Sequence, residues 1–327
     1  MKSIDENFFR ILNKSLLSTK KVKLFSSKKK YDTFFIVAPP RGSSMFFQQI
    51  LISFTKIGYV SNLIASLWNY PEIAVILQKR FLNHNNFTSN FRSNFGITDG
   101  IFEPHEWGYF WRKWLDIQDR ECFYNPKSMI NWKNLNAELD KIKGIFELPI
   151  IFDTGYVNTY FDEINKFIKS SKYIFIFRSP YAVCNSIFKA KIKQHKNINS
   201  YWSAKPKDFK SIEKINNPIE QVVAQVYEIT KAMLESRSKL SKKKYITLKY
   251  EDLFKSSDKI IKEMIKFTTN DFSIYKQKKR NFVDRPVESF STNFKTKNKI
   301  EFFDEKFKKE FDFYYNKYFK DLEYNKI

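Results

Sequence analysis

Lys172-Tyr173-Ile174-Phe175-Ile176-Phe177-Arg178-Ser179-Pro180-Tyr181-Ala182-Val183-Cys184-Asn185-Ser186 reads as a strand that breaks into a helix. Tyr173 to Phe177 is an uninterrupted run of aromatic and β-branched residues, the composition of a strand covered on both faces. Proline suits the first helical position, because its missing N–H would have had no partner there anyway. Ser186 follows Arg178 by eight positions, which puts its hydroxyl about two turns into the helix. A guanidinium at the strand end and a hydroxyl farther up the helix can then approach one phosphate from different sides.

The same build occurs earlier, in Phe34-Phe35-Ile36-Val37-Ala38-Pro39-Pro40-Arg41-Gly42-Ser43-Ser44-Met45, with Arg41 placed 137 positions before Arg178. A buried strand running through a small-residue turn into an amphipathic helix is how phosphate loops are made. Backbone amides, hydroxyls and a cation converge on one anion, and the helix dipole adds to their field. Taken alone, a plain turn capped by Ser43 or Ser44 fits the segment as well. An ATP-type loop is excluded, since GxxxxGK[ST] does not occur.

Outward from these two passages, short apolar runs alternate with longer segments of helical period, the pattern of a single α/β domain whose central, mainly parallel sheet is flanked by helices. The strands expected are Thr33 to Ala38, Pro149 to Phe152, Tyr173 to Phe177 and Tyr245 to Lys249. Helices are expected at Met45 to Ile57, Asn158 to Ile168, Pro180 to Lys191, Pro218 to Leu240, Ser257 to Phe267 and Asp304 to Tyr318. Residues 1–31 read as an N-terminal extension and 32–327 as the domain. Asn83 to Trp107 and Gln194 to Asn217 fit neither period and read as loops over the sheet edge, where open α/β sheets bind ligands.

Both passages resemble segments of the sulfotransferases that use 3′-phosphoadenosine-5′-phosphosulfate (PAPS). Pro40-Arg41-Gly42-Ser43-Ser44 looks like the family's Pro-Lys/Arg-Ser-Gly-Thr-Thr loop, which grips the 5′-phosphosulfate, except that here the glycine precedes both serines. Arg178 to Ser186 is similar to the family's 3′-phosphate segment, a strand ending in Arg-x-Pro with a serine at that offset. Tyr250-Glu251-Asp252-Leu253 resembles a further family segment, in which the two carboxylates read as caps or structural ion-pair partners rather than catalysts. The resemblance implies a P-loop-like sulfotransferase domain. It assigns the cofactor to Arg41, Gly42, Ser43, Ser44 and Met45, and its 3′-phosphate to Arg178 and Ser186. Arg280 and Arg285 stand where the family has a basic loop over the nucleotide, without that loop's glycines.

Sulfuryl transfer needs an aligned acceptor oxygen and a cation for the charge that builds on the leaving group, a role Arg41 can fill. An alcohol acceptor also needs a base. Gly100-Ile101-Phe102-Glu103-Pro104-His105-Glu106-Trp107 is the densest cluster of titratable groups in a cleft loop, and Glu103, then His105, then Glu106 are the expected candidates. Tryptophans 68, 107, 111, 114 and 202 suit either a saccharide acceptor or the core.

Composition sets the bounds. A formal charge of +23 attracts anions, but lysine is abundant throughout and no basic helix interleaved with stacking aromatics marks a nucleic-acid binder. Cys122 and Cys184 stand in unrelated contexts, so neither a disulfide framework nor a metal centre is expected. No apolar run reaches the roughly 18 residues of a membrane span, and no signal peptide is visible, so a cytoplasmic protein is expected. The alternatives are a P-loop-type kinase, with Asp153 as its magnesium-side carboxylate but without the matching loop, and a basic nucleic-acid-binding protein.

Overall fold

The computed structural model describes residues 3–17, 29–117, 124, 129–207, 209–282, 305–320 and 322. Its centre is a five-stranded sheet of β1 (Thr33–Val37), β2 (Gly58–Tyr59), β5 (Ile150–Asp153), β6 (Ser171–Phe177) and β7 (Tyr245–Lys249), in the spatial order β2-β5-β1-β6-β7. Every pairing in it is parallel. β3 (Ser93–Asn94) and β4 (Ile97–Thr98) form a separate antiparallel hairpin.

The apolar runs behave as their composition demands. Phe35, Val37, Phe152, Tyr173, Phe175 and Phe177 pack into a core on one face of the sheet, and Phe34, Ile36, Ile151, Ile174 and Ile176 into a second core on the other. Burying each of these side chains is worth about 1.5–3 kcal/mol, which explains why strands without polar alternation prefer the middle of a covered sheet. The four expected strands are all present, with ends shifted by at most two residues. β2 escaped notice because two residues are too few to show a period.

The helices expected from 180, 218, 257 and 304 are present as Pro180–His195, Pro218–Ser238, Ser257–Thr268 and Glu305–Phe319. The helix after the first loop, Ser44–Phe54, stops before Ile57 because Thr55 is already extended (φ −149°), feeding the chain into β2. Asn158 to Ile168 is two short helices, Tyr156–Thr159 and Phe161–Phe167, hinged at Tyr160. Helices Pro71–Phe81 and Trp132–Phe146 were not expected, although Pro71 at the first helical position and the Asn131 cap on Asn134 N–H are ordinary start signals. Within the N-terminal extension the helix Ser3–Leu17 docks on the domain: Asn13 donates to Ser66 O (2.7 Å) and accepts from Asn69 N (3.1 Å).

Glu305–Phe319 buries Phe307, Phe311 and Phe319 against the Pro180–His195 and Pro218–Ser238 helices. Tyr181 lies edge-on to Phe311 and Tyr315 and donates its hydroxyl to Asp312 (2.8 Å). The far C-terminal helix therefore fixes the first turn of the helix that follows Arg178.

Candidate functional site

β1 has β5 on one side and β6 on the other, with Ile36 paired to Asp153 and Val37 to Phe175. The carboxyl ends of three adjacent strands thus deliver Asp153, the Pro39–Ser44 loop and Arg178 to one place, the crevice where open α/β sheets hold ligands. A cavity of about 800 Å³ opens there. Arg41, Ser43, Ser44, Met45, Arg178 and Ser186 all line it, as do parts of both expected cleft loops, Phe91–Ile97 and Trp202–Ala204.

The first loop turns tightly. Gly42 N–H donates to Pro39 O (2.8 Å), and a Cβ on Gly42 would lie 2.7 Å from both that oxygen and Pro39 Cδ. Glycine is required at this position by close approach. The left-handed conformations fall instead on its neighbours, Arg41 (φ 64°) and Ser43 (φ 73°). That explains why the glycine precedes both serines. Gly42 packs behind the loop, while Ser43 and Ser44 face the cavity at the start of an eleven-residue helix whose first amides have no partner within the helix.

The two motifs meet. Arg41 Nε donates to Ser186 Oγ (3.0 Å), and Arg178 Nη1 donates to the Arg41 carbonyl (2.8 Å). Arg178 lies over the Tyr250 ring, 4.5 Å from its centre, and the Tyr250 hydroxyl is hydrogen-bonded to Ser43. Glu251 accepts from Ser179 N–H (2.8 Å), which holds the strand end just before Pro180, so it plays the structural part expected of it. Burial, and after it the Arg178 charge, draw Arg41 below the ordinary arginine value. Two guanidiniums held together in this way are a receptor for a strong anion. Asn185 also lines the cavity, and its buried Oδ1 has no partner.

The opposite wall places the three expected bases in different surroundings. Glu103 does not line the cavity. It is buried, and its carboxylate accepts from Gln49 Nε2 (3.1 Å), Ser89 Oγ (2.6 Å) and Asn90 N–H (2.8 Å), bonds that pin the loop to the Ser44–Phe54 helix. A carboxylate so occupied has little capacity left for an acceptor's proton. His105 also lies outside the cavity lining; its Nδ1 accepts from Trp107 N–H (2.8 Å), and burial lowers its pKa. Glu106 opens into the cavity, with one carboxylate oxygen against Gly96, where a Cβ would sit 2.5 Å from it. Glu106 is exposed to solvent at the cavity, and the protein around it, and after that the charge of Asp153, push its carboxyl above the usual carboxylate range. Asp153 is itself raised to about 7 by burial, against the opposing pull of a hydrogen bond with the Ser44 hydroxyl, and its Oδ2 has no partner.

The tip of the β3–β4 hairpin covers both walls. Phe95 (φ 54°) and Gly96 (φ 85°) form its two-residue turn, and the Phe95 ring lies 4.9 Å from Arg41 and edge-on to Trp202. The turn was missed in the sequence because Phe-Gly stands where Asn-Gly is the usual signal. Trp107 and Trp111 belong to the core; of the tryptophans weighed for a saccharide, Trp202 lines the cavity. Arg285 lies outside the described residues, as does the side chain of Arg280. Among the described residues there is no cluster of metal-ligating side chains and no helix long and apolar enough to cross a membrane.

No family model matches the sequence, and no curated protein sequence matches it significantly. Solved structures do match. The sulfotransferase STF9 from Mycobacterium avium superposes with a TM-score of 0.51 at 9% identity, over 86% of this chain and 73% of that one. The sulfotransferase domain of the Synechococcus olefin synthase gives 0.43 at 12% identity over 78% of each chain, and a sulfotransferase from Alicyclobacillus acidocaldarius 0.40 at 11%, over 83% and 100%. The chain has the sulfotransferase fold.

Proposed function

We propose that this protein transfers a sulfuryl group from PAPS to a hydroxyl or amine acceptor, a saccharide being one class that would fit. The observation that carries this reading is the junction of the two phosphate motifs. Arg41 reaches Ser186 at 3.0 Å and Arg178 reaches the Arg41 carbonyl at 2.8 Å, although the motifs stand more than a hundred residues apart. A ligand with an anionic group at each end of a nucleoside suits that pair of sites.

In the reaction, the acceptor oxygen forms the new bond to sulfur as the bond from sulfur to the bridging 5′-phosphate oxygen breaks. The electron pair leaves with adenosine 3′,5′-bisphosphate, where Arg41 and the start of the Ser44–Phe54 helix counter the charge. The acceptor's proton passes to Glu106, the carboxylate of the Gly100–Trp107 loop that opens into the cavity. A base whose pKa lies near the working pH is well matched to that task.

Calorimetric titration with adenosine 3′,5′-bisphosphate tests the reading, with magnesium-ATP and a short DNA duplex as competing ligands. Micromolar or tighter bisphosphate binding that Arg178→Ala abolishes is expected. Binding of ATP or DNA in its place would overturn the donor assignment.

A further inference from the structure

Ser44 and Asp153 raise a question of proton supply. An ionised carboxylate only accepts hydrogen bonds, and a serine hydroxyl has one proton to give. If Asp153 is charged, Ser44 must spend that proton on it and turn a lone pair toward the cavity, where an anion would be repelled by the hydroxyl oxygen and by the carboxylate behind it. If Asp153 is protonated, it donates to Ser44 Oγ and leaves the serine proton for the ligand. Asp153 is 5% exposed, has a second oxygen without a partner, and sits at the end of β5 beside the loop that carries Arg41.

We propose that Asp153 is a positioning residue that holds a proton when the donor is bound, turning the Ser44 hydroxyl into a donor toward the anion and leaving Glu106 as the charged member of the pair. The inference rests on the donor reading above. The other titratable and charged groups that share the cavity are Arg92, Asp99 and Glu106 from the acceptor loop, Arg41, Arg178, Lys189 on the Pro180–His195 helix, Tyr156 and Tyr250. Of these, Glu106 is the one whose titration is tied to Asp153. Burial raises Asp153, and the charge of Asp153 in turn raises Glu106, so their proton losses belong to the pair. Donor binding decides which carboxyl keeps the remaining proton.

The test is calorimetric titration of the full chain with adenosine 3′,5′-bisphosphate at pH 7 and pH 9, in two buffers of different ionisation enthalpy, for wild type and Asp153→Asn. In wild type, Kd is expected to rise about tenfold from pH 7 to pH 9, with close to one proton taken up on binding at pH 9. Ligand phosphates entering a cationic site release protons, so the sign of the exchange separates the two sources. The carboxamide of Asp153→Asn donates to Ser44 at any pH, so the tenfold step and the proton uptake should both vanish while tight binding remains. Ser44→Ala provides the same reading should that variant not fold: weaker binding at pH 7, without the step. An equal step in wild type and Asp153→Asn, or no uptake at pH 9, would overturn the proton role and leave the donor reading standing. Absence of bisphosphate binding in wild type at both pH values would overturn the donor reading, and this inference with it.

Discussion

The two walls of the cavity are built by opposite means. The cationic wall stands on strand ends: Arg41 and Arg178 follow β1 and β6, which are hydrogen-bonded along their length, and each side chain is tied to the other motif. The acidic wall hangs on a long loop folded on itself, and a buried carboxylate, Glu103, serves as its internal staple. The sheet fixes where the first wall must be, whereas the second is fixed by side-chain contacts that another sequence could rearrange. Such a division suits the proposed reaction, in which the donor is one fixed molecule and the acceptor is held by a loop.

The largest effect should come from the strand-end wall. Arg178→Ala removes a guanidinium, the clamp on the Arg41 carbonyl and the charge stacked on Tyr250, and bisphosphate affinity should fall by at least a hundredfold, or ~3 kcal/mol, as calorimetry would show. Loss of less than tenfold would mean that the two motifs do not share a ligand. Glu106→Gln should lower kcat by 10²–10⁴-fold and leave bisphosphate affinity within about threefold, since the group acts on the acceptor's proton. A matching change in affinity would break the separation of the walls.

Glu103→Ala probes the staple. Three donors lose their acceptor, so a stability loss of about 2–3 kcal/mol is expected by denaturant titration, while a pH profile of whatever activity remains keeps its shape. If the profile moves, Glu103 and not Glu106 is the base. With donor saturating, the retained proton lies on Asp153 and Glu106 is already charged, so wild-type kcat should stay within about twofold between pH 7 and pH 9 in a steady-state pH profile. The smallest effect is expected at the hairpin tip. Phe95→Asn puts a residue that tolerates positive φ into the turn and should raise stability by up to about 1 kcal/mol, at the expense of the ring over Arg41.

The same division governs what the sequence discloses. β1, β5, β6 and β7 are legible because burial on both faces demands apolar runs, and Arg178 and Ser186 because their spacing is set within one strand and one helix. Glu103 and Glu106 stand three residues apart in one loop, and only contacts with Gln49, Ser89 and Gly96 tell the staple from the group facing the cavity. No local pattern encodes those contacts. Asp153 is visible as the end of a strand, but its meaning lies in Ser44, delivered by the neighbouring strand's loop. Gly42 looked like a departure from the family's loop until its contact with Pro39 supplied the reason.

The pairing of β1 with β6 has a kinetic consequence. Val37 meets Phe175 across a stretch of chain that holds β2, the hairpin and β5, so this parallel contact carries a large loop-closure cost and belongs to the slow part of folding. Until it forms, Arg41 and Arg178 are strangers. Under the proposed donor reading, a bisphosphate nucleotide would therefore have nothing to grip before that pairing, and by mass action it would draw the chain toward the finished sheet. In a refolding experiment, the return of nucleotide binding would serve as a clock for the closing of that one strand pair.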